Sequence, residues 1–224
     1  MTLELAIIDF SEEHLTANND WYEWKSINPK YLPLSVVLPQ GNQYTQNVSL
    51  KTQLNDLYTN QNATDAEKQA LTHYYIAIWG GVKRNRLEKI QSYALSAPAE
   101  LIANGSTGIA SWSKALCIRN PNIYAIYDAR IAVSLNSLQI IRPVNNPQLF
   151  PLLTGQNKRI NNGSKLIRQY ATNNHWTSMQ KNQFYQEYNQ ILSGAANALE
   201  VSVYTLEMLL FSKSLELLGA AFPT

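Results

Sequence analysis

The chain has 224 residues, 45% of them hydrophobic and 10% aromatic, with a formal net charge of +2. That is enough apolar material for a sizeable core, and too little net charge to demand or exclude nucleic acid as a partner. Cys117 is the one cysteine, so an intramolecular disulfide is excluded. The three histidines (His14, His73, His175) lack metal-ligand spacing, so neither a metal site nor a cofactor fingerprint is expected.

The chain opens on "MTLELAIIDFSEEH", which has no basic stretch before its apolar residues and so does not read as a secretory signal. A short strand over "LELAII" is an option here, and residues 11–25 read as a helix. No apolar run approaches the ~18 residues of a membrane span. A cytoplasmic protein without a membrane partner is therefore expected. Residues 29–47 carry three prolines and a Gly-Asn pair and read as a long extended loop. Helical spacing returns in "VSLKTQLNDLY", where Leu50, Leu54 and Leu57 share a face. Thr64 and Glu67 then form a capping box for the helix "ATDAEKQALTHYYIAIW". Gly80 and Gly81 interrupt it, and "NRLEKIQSYAL" resumes.

"PAELIANGSTGIASWSKALCI" reads as helix, glycine-containing turn near Asn104–Gly108, and helix. Cys117 lies on its second helix in an apolar setting, as a small buried hydrophobe. Pro121 then biases its predecessor to extended backbone, and Asp128 starts a further helix with Ile131, Leu135 and Leu138 on one face. Residues 142–164 read as an irregular connection. Two longer helices close the chain, one near "SMQKNQFYQEYNQILSGAANAL" and one over "VYTLEMLLFSKSLELL". No period-2 strands and no internal repeat are evident. The expected fold is an all-α single domain over residues 1–224, with eight to ten helices and a subdomain seam at 142–164.

Basic residues cluster twice. Lys83, Arg84, Arg86 and Lys89 follow the two glycines at a helix start, where backbone N–H groups and cations suit a phosphate, although a solvated helix start explains them too. Lys158, Arg159, Lys165 and Arg168 sit among asparagines and read as a polar surface loop. Trp112 suits either core packing or stacking on a base.

The segment 97–136 carries the most specific pattern. It runs through a helix-hairpin-helix element near 97–118, "SWSKALCI", an extended stretch with Pro121, and "IYDARIA". This order resembles the core of the helix-hairpin-helix superfamily of base-excision DNA glycosylases, of the 8-oxoguanine glycosylase type. The turn here reads "NGSTGIA" where the family has Leu-Pro-Gly-hydrophobic-Gly, and the 14 residues from Lys114 to Asp128 are a shorter interval than the family's. The resemblance implies a DNA-binding protein of DNA repair, a hydrolase that cleaves N-glycosidic bonds of damaged or modified bases. Lys114 takes the position of the nucleophilic lysine and Asp128 that of the essential aspartate.

The chemistry is coherent. A carboxylate stabilises the cationic sugar or takes a proton from the attacking group. A lysine attacks only as the free amine, which requires burial or a neighbouring cation. An extruded base requires aromatic walls and basic grips on the flanking phosphates. Trp112, Tyr124, Tyr127, Arg130 and the Lys83–Arg86 group are the candidates for those roles. Against this stand simpler readings. Asp128 at a loop-to-helix junction is a good N-cap, and Lys114 could be a surface lysine with a buried stem. The alternative function is a non-catalytic helical module that kept the fold and binds nucleic acid or a protein partner.

Overall fold

The computed structural model describes residues 1–82 and 84–223, and eleven α-helices are present among them. Lys83 lies outside the described residues. The helices are α1 Leu3–His14, α2 Gln43–Thr59, α3 Asp65–His73, α4 Leu87–Leu95, α5 Pro98–Ala103, α6 Ile109–Arg119, α7 Ala129–Ile141, α8 Lys158–Asn173, α9 Phe184–Ala198, α10 Val203–Ser212 and α11 Ser214–Ala221. A two-residue parallel pair, β1 Gln148–Leu149 with β2 Thr177–Ser178, is the one departure from all-α architecture among the described residues.

The N-terminal stretch is a helix, which corrects the strand option over "LELAII". Thr2 caps α1 by accepting from Leu5 N, and Ala6, Ile7 and Phe10 bury the face that packs on α7 and α9. Residues 15–28 then leave the helix, so the reading of 11–25 as helical holds only for its first turn. The long loop at 29–47 includes a 3₁₀ turn at Pro29–Tyr31 and ends when Asn42 caps α2. The Thr64–Glu67 capping box is formed in both directions. Helix α3 continues into a π-helical turn over Tyr74–Trp79, closed by Gly80 N donating to Tyr75 O at 3.0 Å. Such turns occur where an element needs an extra residue to re-aim its side chains.

Helices α6 and α7 form the centre. From Ile109 to Ile118 every residue of α6 except Ala110 is buried, and α7 is buried almost all round. Helices with no polar face belong inside a shell of other helices. That shell is supplied by α2 and α4 against α6, and by α1, α8, α10 and α11 against α7.

Helix α8 corrects the reading of 142–164 as irregular and of its basic residues as a loop. Asn157 caps it, and Ile160, Ser164, Ile167 and Ala171 form the buried stripe. Asparagines and a glycine hide this helix from propensity reasoning. Gly163 is there because Leu218 of α11 lies on it: a Cβ would come within 2.4 Å of Leu218 Cδ2. No helix among the described residues is long and apolar enough to cross a membrane, and no group of three or more His, Cys, Asp or Glu among them could hold a metal ion.

Candidate functional site

The site is built from the junction between α6 and α7. Pro121–Ile123 form a turn, with Ile123 N and Tyr124 N donating to Asn120 O, which corrects the expected extended backbone there. The chain then runs from Tyr124 to Tyr127 outside any helix or strand, so its remaining backbone groups need other partners. Side chains provide them. Asn189 accepts from Ala125 N, Tyr185 and Tyr188 donate to Ala125 O and Ile126 O at 2.9 Å each, and Ser113 accepts from Tyr127 N. Three α9 residues and one α6 residue thus fix where this stretch ends, which is Asp128.

Asp128 caps α7. Its Oδ1 accepts from Arg130 N at 2.9 Å and Ile131 N at 3.1 Å. Both bonds fall on one oxygen, and Oδ2 takes no hydrogen bond from the described residues. The carboxylate is half-buried and lines a cavity of about 70 Å³.

Lys114 lines the same cavity. It is not a surface lysine: only 4% of it is exposed. Its stem runs back along α6, and Nζ donates to Ala110 O at 2.6 Å. Gly80 makes room for it, since a Cβ there would meet Lys114 Cε at 2.8 Å and Ile76 O at 2.7 Å. Among the described residues no carboxylate oxygen lies within 4.0 Å of Nζ. Burial therefore pulls the amine below its ordinary value, and the charges of Asp128 and Glu207 only partly oppose it.

The cavity holds a second lysine and a second carboxylate that sequence reasoning passed over. Lys51 of α2 is paired directly with Glu207 of α10, and the two are 1% and 3% exposed. Burial pulls Lys51 down, but the contact with Glu207 outweighs it and holds the ammonium above its ordinary value. Burial also raises the Glu207 carboxyl above its own ordinary value, against the pull of Lys51. The direct contact of the two side chains marks them as an ion pair. The sequence did carry a signal for both residues. Lys51 follows Leu50 on the face that leads to Leu54, and Glu207 interrupts the run Leu206, Met208, Leu209, Leu210. A charge set inside an apolar stripe is expected to be paired.

Aromatic side chains wall the rest: Tyr22, Trp24, Trp79 and Phe211. Trp79 stacks on Tyr75 with centroids 4.3 Å apart and donates to Asn47 Oδ1. Trp24 meets Phe211 edge-on, and the Arg130 guanidinium lies 5.6 Å from the first ring and 5.0 Å from the second. Arg130 also donates to Ser214 Oγ. It is thus a brace for two wall residues.

The structure removes two residues from the expected ligand surface. Trp112 is fully buried, donates to Thr107 O and packs edge-on against Tyr185. Tyr127 is fully buried as well, donates to Pro151 O and packs against Phe184 and Tyr188. Both are core residues. Tyr124 is partly buried against the core. The buried setting expected for Cys117 is found, and burial pushes its thiol up to about 11, so it is not a reactive thiolate. Arg84 and Arg86 are exposed on the loop that leaves the cavity at Gly80. That loop is tied down by Asn85 donating to Ser111 Oγ and by Gln156 donating to Gly81 O.

Comparison with protein-family models, curated proteins and solved structures returned no match.

Proposed function

We propose that this cavity is the reaction centre of a DNA N-glycosylase, with Lys114 as the amine and Asp128 as the carboxylate. The observation that carries the reading is that the two residues line one cavity, and that the lysine there is buried with no carboxylate in contact. A buried amine without an ion-pair partner holds a larger neutral fraction, and only the neutral form attacks carbon. Asp128 spends one oxygen on the α7 cap and retains the other for a developing positive charge on a sugar. Trp24, Trp79 and Phe211 would stack on an extruded base, and Arg84 and Arg86, with Lys83 beside them in sequence, would hold flanking phosphates. The α5–turn–α6 segment would be the helix-hairpin-helix element.

The test is borohydride trapping on duplexes that carry an abasic site or a damaged base. If Lys114 forms a Schiff base with the opened sugar, the wild type gives a covalent complex and Lys114→Gln gives none while its unfolding transition is retained. Trapping that survives in Lys114→Gln would remove Lys114 from the role. In the same assays, alanine at Lys83, Arg84 and Arg86 should flatten the salt dependence of DNA affinity by about one unit for each phosphate no longer held.

One observation favours the alternative, a non-catalytic module that binds nucleic acid or a protein. The cavity of about 70 Å³ has room for a few waters and not for a base, so base entry requires the half-buried Trp24 or Trp79 to move. Binding without trapping or base release would select this second reading.

A further inference from the structure

The Lys51–Glu207 pair is hard to explain by stability. A fully buried ion pair is often no better for folding than apolar residues of the same volume. Here it joins α2 to α10 across 156 residues of sequence, yet a second polar tie, Tyr44 Oη to Thr205 Oγ1 at 2.8 Å, already connects the same two helices. The pair also occupies the wall of the cavity that holds Lys114. Glu207 is the second carboxylate, after Asp128, whose charge reaches Lys114, and its direct contact is with Lys51 instead.

We propose that Lys51 and Glu207 are positioning residues that neutralise one another, so that the second carboxylate of the cavity is withheld from Lys114 and Lys114 remains an unpaired, nucleophilic amine. The charged and titratable groups that act on Lys114 support this. Asp128 faces it from the start of α7, Glu207 from α10 and Lys51 from α2, and Cys117 lies one turn along α6. Tyr22 and the fully buried Tyr75 are both held neutral by burial. At Lys114 the Lys51 cation offsets part of the pull of Glu207, and burial prevails over what is left of it together with Asp128. Loss of either partner shifts that balance, in opposite directions.

The inference rests on Lys114 being the amine of the site, and the experiment separates the two. The full chain is reductively methylated with formaldehyde and cyanoborohydride across a pH series, and the rate of labelling at Lys114 is read by peptide mass spectrometry, with no DNA present. Lys51→Gln keeps an amide to donate to Glu207 but frees its charge. The Lys114 profile should then move to higher pH by about one unit, which is about a tenfold loss of neutral amine at a given pH below it. Glu207→Gln leaves Lys51 as an uncompensated cation, and the profile should move to lower pH. The double variant should lie between the two single variants, close to wild type and on its low-pH side, because Glu207 acts on Lys114 more strongly than Lys51 does. Should one single variant fail to fold, the other and the double variant still decide the question.

A pair that only supports folding predicts Lys114 profiles that superimpose in every folded variant, and that result would overturn the proposal while leaving Lys114 as the site's amine. Absence of labelling at Lys114 in the wild type, with exposed lysines labelled, would overturn the reading of the site and this proposal with it.

Discussion

Lys51 and Lys114 share a cavity and almost the same burial, yet their surroundings drive them in opposite directions. Lys51 meets a carboxylate directly and is held above its ordinary value, whereas Lys114 meets a backbone carbonyl and falls below it. Burial is therefore not what distinguishes them. The distinction is whether an anion lies within bonding distance, and that depends on which helix delivers which side chain. Lys51 is fixed by tertiary structure as one half of a salt bridge, and Lys114 is left as a donor to its own helix.

The largest expected effect is on stability and breaks the comparison outright. Lys51→Met strands Glu207 as a buried, unpaired carboxylate and should cost about 3–5 kcal/mol in denaturant unfolding. Lys114→Met strands nothing of opposite charge within bonding distance and should cost little or add stability at neutral pH. The sign of its pH dependence follows from the lowered value. Between that value and the ordinary lysine value of about 10.4, the unfolded chain holds a Lys114 proton that the folded chain has released. Stability therefore rises with pH across that window, and Lys114→Met should lack this part of the slope. Equal losses in the two Met variants, or identical pH slopes in wild type and Lys114→Met, would erase the distinction between the two lysines.

A smaller effect sharpens it. Gly80→Ala places a methyl group against Lys114 Cε and Ile76 O and should destabilise by about 1–3 kcal/mol through overpacking. Because part of the clash falls on Lys114, the rest on the Ile76 and Tyr75 carbonyls and none on Lys51, the double variant Gly80→Ala/Lys114→Ala should recover part of that loss, whereas Gly80→Ala with an altered Lys51 should not. Additive losses in the first double variant would place Lys114 further from Gly80 than the structure does.

The smallest expected stability effect concerns Asp128. Asn caps a helix nearly as well as Asp, so Asp128→Asn should unfold within a few tenths of a kcal/mol of wild type, whereas Asp128→Ala should lose about 1 kcal/mol. If Asp128 also serves the proposed reaction, Asp128→Asn should lose base release by a factor on the order of 10²–10⁴. An Asn variant that releases base as well as wild type would leave Asp128 a helix cap alone.

What the sequence by itself determined was mostly local. The capping box at Thr64 and Glu67, the break at Gly80–Gly81, the helix beginning at Asp128 and the buried setting of Cys117 rest on interactions within a few residues or on an apolar neighbourhood, and all are found. So is the all-α class, which follows from apolar residues spaced at helical intervals. What only the tertiary structure decided depends on residues far apart in the chain. Helix α8 escaped notice because its glycine makes sense only with Leu218 packed on it. Trp112 and Tyr127 looked available for a ligand, and they are core because Tyr185, Phe184 and Tyr188 of α9 close over them. Lys114 and Asp128 were legible as a pair from one short segment. Lys51 and Glu207, which lie 156 positions apart, carry no local mark of being partners. A buried charge is stable only with a counter-charge beside it, and the meeting of distant segments is a property of the folded chain.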